Sequence, residues 1–425
     1  MTTGRIWRAR RLHRVTLAAI ALAGWGLPSA AVAQSVPPGQ GVGDRPRPGF
    51  DPIGVDVGGF QLYPSLQADV RATDNFRASN SNRQGDIYLV ATPAARLTSN
   101  WSRHALSAQT FFSRSFHDRL KTEDVSQYGV SALGTLDISR EARISINAGA
   151  DRKTEPRDSL ASFQGTPSPV SYDIYRVGIS GAQAFNRFIL NASAGVEKRA
   201  FNDVAAADGT IIDQSFRNVR TVTASASAQM ELRSGVSALV SGQFDDSHYE
   251  AQLAPGQLRR DSSGYTVLAG VSLELSTLVF GQLQVGIINR SYRDSRLRDV
   301  TGPSYRANLL WNVTPLTSLR LTGARTVEDA ASTIFAGNTR SDVGLAVDHE
   351  LYRYVIVSAD SSYSRFSANG VGAKGSEFQI GAGARYLFGR RWSVSGRIRY
   401  AQRRSDDQRL RYHATIGMVS AQLAF

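Results

Sequence analysis

The residues able to do chemistry are scattered. Six histidines stand at His13, His104, His117, His248, His349 and His413, no two of them at the spacing of a metal-ligand pair. The chain has no cysteine, which removes disulfides, thiolate metal sites and thiol nucleophiles together. A Ser-His-acid hydrolase needs three side chains that meet in space, and here only the fold could assemble them. Gly370-Val-Gly-Ala-Lys-Gly375 has the glycine spacing of a dinucleotide loop. No helical pattern follows to receive a pyrophosphate, so it reads as a flexible loop. Asp245-Asp246 and Asp406-Asp407 could hold Ca²⁺ or other bridging cations, although solvated turns use the same residues. The expectation is no catalytic residue, no cofactor and no metal centre.

Arginine offers more. Arg71, Arg176, Arg306, Arg320, Arg385, Arg397 and Arg399 all fall on the polar side of alternating segments. Lining a water-filled passage, they would select anionic solutes. The plainer use is pairing with acids on the same faces, among them Asp69, Asp342, Asp348 and Asp360. Inward acids are nearly as numerous, which favours pairing.

The alternating segments must position these arginines. From residue 59 onward, apolar residues recur at every second position about eighteen times, as strands with one apolar face do. Leu66, Ala68 and Val70 form one such set, Val222, Ala224 and Ala226 another, and Leu283, Val285 and Ile287 a third. Opposite faces are polar: Gln67, Asp69 and Arg71, or Thr221, Thr223 and Ser225. Connections alternate in length. Asn186-Arg187 and Arg233 to Gly235 are short; 74–85, 151–170 and 202–217 are long and polar.

A soluble sandwich could bury the apolar faces against a second sheet, and a β-propeller could use hairpin pairs of about 40 residues as blades. No propeller signature recurs. Aromatics near strand ends (Tyr128, Tyr175, Phe188, Tyr265, Tyr305, Trp311, Tyr386, Trp392 and Tyr400) and the alternating connection lengths fit a membrane barrel better. Such a sheet must close, because an open edge in hydrocarbon leaves backbone amides unpaired. The end of the chain agrees: Val419, Ala421, Leu423 and Phe425 share one face, with an aromatic last, as in a strand that closes a barrel and is read by the barrel-assembly machinery. The expected fold is all-β, a transmembrane antiparallel up-and-down barrel of about eighteen strands, or sixteen. Short turns would lie in the periplasm and longer loops outside the cell.

Compartment follows from the first residues. Arg5, Arg8, Arg10, Arg11 and Arg14 precede a short apolar run, Val15 to Leu27, and Ala31-Val32-Ala33 is a small-residue cleavage site. Residues 1–33 read as a signal peptide for Sec export, too short and too closely followed by Pro28 to span a bilayer. Its removal takes five arginines and lowers the net charge from +13 to +8. The remaining basic residues are not clustered with aromatics, and an exported protein seldom meets nucleic acid, so no nucleic-acid partner is expected. Residues 34–58, with Pro37, Pro38, Pro46, Pro48 and Pro52, read as an extended periplasmic leader with no core of its own. The barrel would occupy 59–425.

Several stretches resemble a known family. Pro48-Gly-Phe-Asp-Pro-Ile-Gly-Val55, Phe60-Gln-Leu-Tyr-Pro-Ser-Leu66, Thr73-Asp-Asn-Phe76, Trp101-Ser-Arg-His-Ala-Leu106 and Leu136-Asp-Ile-Ser-Arg140 are similar to the putative β-barrel porin type 2 family of proteobacterial outer-membrane proteins. The resemblance runs from about residue 46 to the C-terminus, and its motifs mark strand starts and turns rather than a reaction. It implies location in the Gram-negative outer membrane, among lipid and lipopolysaccharide. Because such barrels are often linked to exopolysaccharide export, it also implies a conduit for a sugar polymer, with polysaccharide or periplasmic export components as partners. Three functions stay open: a carbohydrate channel serving exopolysaccharide secretion, a general diffusion porin for small solutes, and a non-conducting barrel plugged by loop 151–170 or by the leader.

Overall fold

The computed structural model describes residues 39–160, 166–250, 258–275, 278–329, 337–368 and 373–425. The expected signal peptide, residues 1–33, Ser276-Thr277 and part of the stretch Gly370–Gly375 lie outside these residues.

Each alternating segment has one oily face and one wet face, and a strand separates the two by pointing successive side chains to opposite sides. Eighteen long strands result. They are β1 (Phe60–Thr73), β2 (Asp86–Ser99), β3 (Ala105–His117), β4 (Ser126–Asp137), β5 (Ala142–Thr154), β6 (Ser171–Phe185), β7 (Phe188–Phe201), β8 (Val219–Arg233) and β9 (Val236–Tyr249). The second half comprises β10 (Ser262–Leu275), β11 (Val279–Tyr292), β12 (Val300–Thr314), β13 (Thr317–Asp329), β14 (Gly337–Tyr352), β15 (Val355–Ala368), β16 (Lys374–Leu387), β17 (Trp392–Ser405) and β18 (Tyr412–Ala424). Each strand pairs antiparallel with the next along the chain. The first and last close the cylinder through Leu66↔Leu423, Asp69↔Ser420 and Arg71↔Met418. The strand count is therefore eighteen rather than sixteen. A three-residue strand, Val55–Val57, adds to the start of β1.

The wall strands hold 12 to 16 residues, more than the ~9–11 that a tilted strand needs to cross hydrocarbon. Their outer surface is apolar: Val285 is 69% exposed, and Val177, Ile287, Ile398 and Val419 are also exposed. Aromatics stand on the outside at both ends. Phe188, Trp311, Tyr386, Trp392 and Phe425 mark the short-turn end; Phe116, Tyr128, Tyr175, Phe244 and Tyr265 mark the other. This is the banding expected where a barrel meets two membrane interfaces. No helix among the described residues is long and apolar enough to cross a membrane.

The turns explain themselves locally. Gly235 has φ +79°, and a Cβ there would lie 2.4 Å from the Glu274 carbonyl oxygen, so the tight β8–β9 turn needs glycine. At the other end, the long loop 202–218 carries a small hairpin of its own, Val204–Ala205 with Ile211–Ile212.

One expectation needs correcting. The inward faces are not uniformly polar. Leu239, Leu268, Phe280, Leu310, Ile356 and Phe366 are buried on the lumen side. Phe280 and Leu310 are register partners on β11 and β12 near the short-turn end. Apolar side chains there are stable only if something shields them from water, and the leader sits beside them.

Candidate functional site

The lumen is the candidate site, and two segments enter it from opposite ends. At the short-turn mouth the leader folds back onto the wall. A single turn of 3₁₀ helix, Val42–Asp44, places Val42 at 0% exposure. The Val42 N–H donates to Ser318 Oγ (2.8 Å), and Asn312 Nδ2 donates to the Gln40 carbonyl (3.3 Å). Gly41 lies so close to the wall that a Cβ would be 3.0 Å from Leu310 Cδ1. Charged contacts complete the seat. Arg47 reaches Glu350 of β14 at 3.2 Å, Arg320 of β13 reaches Asp44 at 2.5 Å, and Arg385 of β16 donates to the Gly43 carbonyl at 3.1 Å.

At the long-loop mouth, residues 155–160 turn inward after β5. Arg157 and Glu123 are buried and paired (Nη2–Oε1 2.8 Å), and Arg77 joins the same carboxylate at 2.9 Å. Three outer loops are thus tied together through Glu123. Arg217 Nη1 donates to Glu155 Oε2 at 3.1 Å, which anchors the start of the inward turn to loop 202–218. Across the lumen, Arg403 of β17 donates to the Asp158 carbonyl.

Most of the expected lumen arginines are already engaged. Arg71 pairs with Asp69 (2.7 Å), Arg176 with Asp151 (2.7 Å) and Glu197 (3.1 Å), Arg320 with Asp44, and Arg397 with Asp360. Arg385 is held by the leader carbonyl. Arg306 and Arg399 make no ion pair with any described residue and are exposed to the lumen. The arginines do not form one cluster. Arg71 and Arg397 meet in a single row, each opposite Met418 of β18. Arg306 and Arg320 lie on β12 and β13, and Arg176 stands apart on β6. Of the acids proposed as partners, Asp69 and Asp360 take Arg71 and Arg397, Asp342 takes Arg340 (2.8 Å), and Asp348 accepts from Ser358 at 2.5 Å.

The four residues of the C-terminal signature close the wall. Val419 and Phe425 are exposed on the outside, Ala421 pairs with Ala68, and Leu423 sits between Leu66 and Trp392. The Phe425 N–H donates to the Pro64 carbonyl (3.1 Å), and the Arg391 guanidinium lies 5.2 Å from its ring centre.

The histidines stay apart. His117 bonds Asp86 (2.8 Å) and stacks on Tyr88, His349 bonds Thr317 (2.9 Å), and His248 faces Asp261 (3.3 Å). Among the described residues no group of His, Asp and Glu is arranged to hold a metal.

Outside the wall, loop carboxylates are strongly held. Hydrogen bonds from the Arg296 side chain and the Arg259 N–H keep Asp294 far below the usual carboxylate range. Burial works against the charge on Asp261, but the Tyr249 N–H, the Arg259 guanidinium and nearby His248 more than offset it, so this group is lowered too.

The model of one protein family, putative beta-barrel porin 2, matches residues 47–425. No curated protein matches the chain. Among solved structures, OccK2 (OpdF) of Pseudomonas aeruginosa is 12% identical, with 86% of this chain and 98% of that one covered and a TM-score of 0.48. A BenF-like porin of Pseudomonas fluorescens Pf-5 is 9% identical over 86% and 99%, with a TM-score of 0.47. The siderophore receptor PirA of Acinetobacter baumannii is 7% identical over 87% and 81%, with a TM-score of 0.49. Similarity of that degree says nothing about cargo.

Proposed function

The chain belongs to the putative beta-barrel porin 2 family, an outer-membrane β-barrel porin, and on that premise we propose that it is a passive channel for hydrophilic carbohydrate. The observation that carries this reading is that four of the seven expected lumen arginines are neutralised by acids. Arg71, Arg176, Arg320 and Arg397 each face an acid within ion-pair distance. Paired charges present hydrogen-bond donors and acceptors without a strong field of either sign, which suits an uncharged polyhydroxylated solute better than an anion. A closed wall of eighteen strands has the girth at which barrels keep an aqueous channel.

Delivery to the outer membrane would use the segment 1–33 as a cleaved Sec signal, and insertion would use the strand ending in Phe425. Secretion of an exopolysaccharide is the fuller form of the same reading. It is favoured by the position of the leader: the seat lies at the periplasmic mouth, where a polymer leaving the cell arrives first, and it is held by non-covalent contacts alone.

Swelling of liposomes loaded with the mature chain tests the proposal. Neutral sugars should enter faster than uronic acids of similar size. Faster entry of the acids, or no entry of either, would overturn it. Deleting the gene tests the fuller form, since unchanged surface polysaccharide would remove secretion and leave the channel.

A further inference from the structure

A cavity of about 240 Å³ lies where residues 156–160 meet the wall, between Asp158 and the inner faces of β13, β14 and β16 to β18. Its frame is held by the wall itself. Arg340 Nη2 donates to Glu377 Oε2 (2.9 Å) and Ser364 Oγ (3.0 Å), and Arg340 Nε to Asp342 Oδ1 (2.8 Å). Arg403 Nε donates to the other Glu377 oxygen (2.5 Å), and the Arg403 guanidinium lies 4.9 Å from the Tyr412 ring centre. Against this fixed frame, three lining groups make no hydrogen bond with any described residue: the Tyr412 hydroxyl, the Gln379 amide and the Asp158 carboxylate. Tyr412 is 5% exposed and lines the cavity.

We infer that this cavity binds one ring of a neutral carbohydrate as it passes through the channel, an inference that rests on the channel reading above. The volume is below the ~300–1,000 Å³ of sites for drug-sized ligands, which suits a single sugar ring. The unpartnered groups offer a hydroxyl, an amide that both donates and accepts, and an acceptor carboxylate, the mixture that sugar hydroxyls require. Asp158, Glu328 and Glu377 face Arg340 and Arg403 across the lining, so acids exceed bases by one and a carboxylated sugar is disfavoured. The position is on the lumen side of the wall, where the Asp158 carbonyl accepts from Arg403.

The test records ion current through the mature chain in a planar bilayer while maltotriose or a uronic acid trimer is added. Maltotriose should interrupt the current, and the uronate should do so more weakly. Gln379→Ala combined with Tyr412→Phe should weaken the maltotriose block about tenfold. Gln379→Ala alone serves if the pair of changes disturbs folding, and should weaken it several-fold. Equal block by both trimers, stronger block by the uronate, or block unaffected by either variant would overturn the site while leaving the channel intact. A chain that never conducts would instead overturn the channel reading. Calorimetric titration of the detergent-held barrel with maltotriose then decides the cavity by itself, with heat of binding supporting it and none overturning it.

Discussion

Arg47 of the leader donates to Glu350 of β14 at 3.2 Å, although 303 residues separate them in the chain. Both side chains are largely shielded from water, so breaking the pair leaves a charge poorly solvated. Together with the Arg320–Asp44 pair, this contact ties the leader to the wall at the short-turn mouth. Arg47→Glu should release the leader and raise single-channel conductance. The double change Arg47→Glu with Glu350→Arg should return conductance toward the parent value. Equal conductance in all three proteins would mean that the leader does not narrow the path.

Arg306 and Arg399, lumen arginines without an ion pair to any described residue, should set ion preference. Arg306 and Arg399 add positive charge that no described acid cancels. Changing both to Ala should move the reversal potential in a KCl gradient toward cation selectivity. Arg399→Lys, which keeps the charge, should leave it in place. A reversal potential indifferent to the double change would place these side chains away from the path of ions.

The outer face must stay apolar to remain in lipid. Val285 sits midway along β11 and is 69% exposed. Val285→Arg should lower stability by about 2–4 kcal/mol, the cost of a cation at the bilayer midplane. Asn308→Arg, on the lumen face of β12, should change it by less than ~1 kcal/mol, because that face is wet. Denaturant midpoints measured in lipid vesicles compare the two. Equal losses would contradict the assignment of faces.

Acid should loosen the outer loops before it affects the wall. Asp294 has its folded pKa depressed by Arg296 and the Arg259 N–H. A depressed carboxylate stabilises above its unfolded value, about 3.9, and loses that contribution as pH falls through the lower folded value. Loop 293–299 should therefore keep its amide protection from about pH 7 to about pH 4 and lose it below, when corrected for intrinsic exchange. Protection that falls already between pH 7 and pH 5 would point to a different group.

The wall was legible because a strand half in lipid and half in water writes its period into every second residue. Leu283, Val285 and Ile287 alternate with Gln282, Gln284 and Gly286, and the structure turns them outward and inward as the alternation requires. The seat of the leader was not legible in the same way, since its partners lie some 270 to 340 positions away: Val42 with Ser318, Gly43 with Arg385. A local signal did exist. Val279-Phe280 and Leu309-Leu310-Trp311 break the alternation with apolar residues on both faces, and the inward members, Phe280 and Leu310, line the region that Gly41 touches. Two arginines in a proline-rich leader, Arg45 and Arg47, were a second such signal. Loop 155–170 gave less notice. Its polar composition resembles any solvated loop, and only three-dimensional packing brings Asp158 to Arg403, 245 residues away.

Single-channel recording decides most directly whether this barrel conducts. A chain of residues 34–425 added to a planar bilayer should produce discrete insertion steps, and the same chain lacking residues 34–52 should produce larger ones. A bilayer that stays sealed with both proteins, each shown to be folded and inserted, would contradict a water-filled lumen.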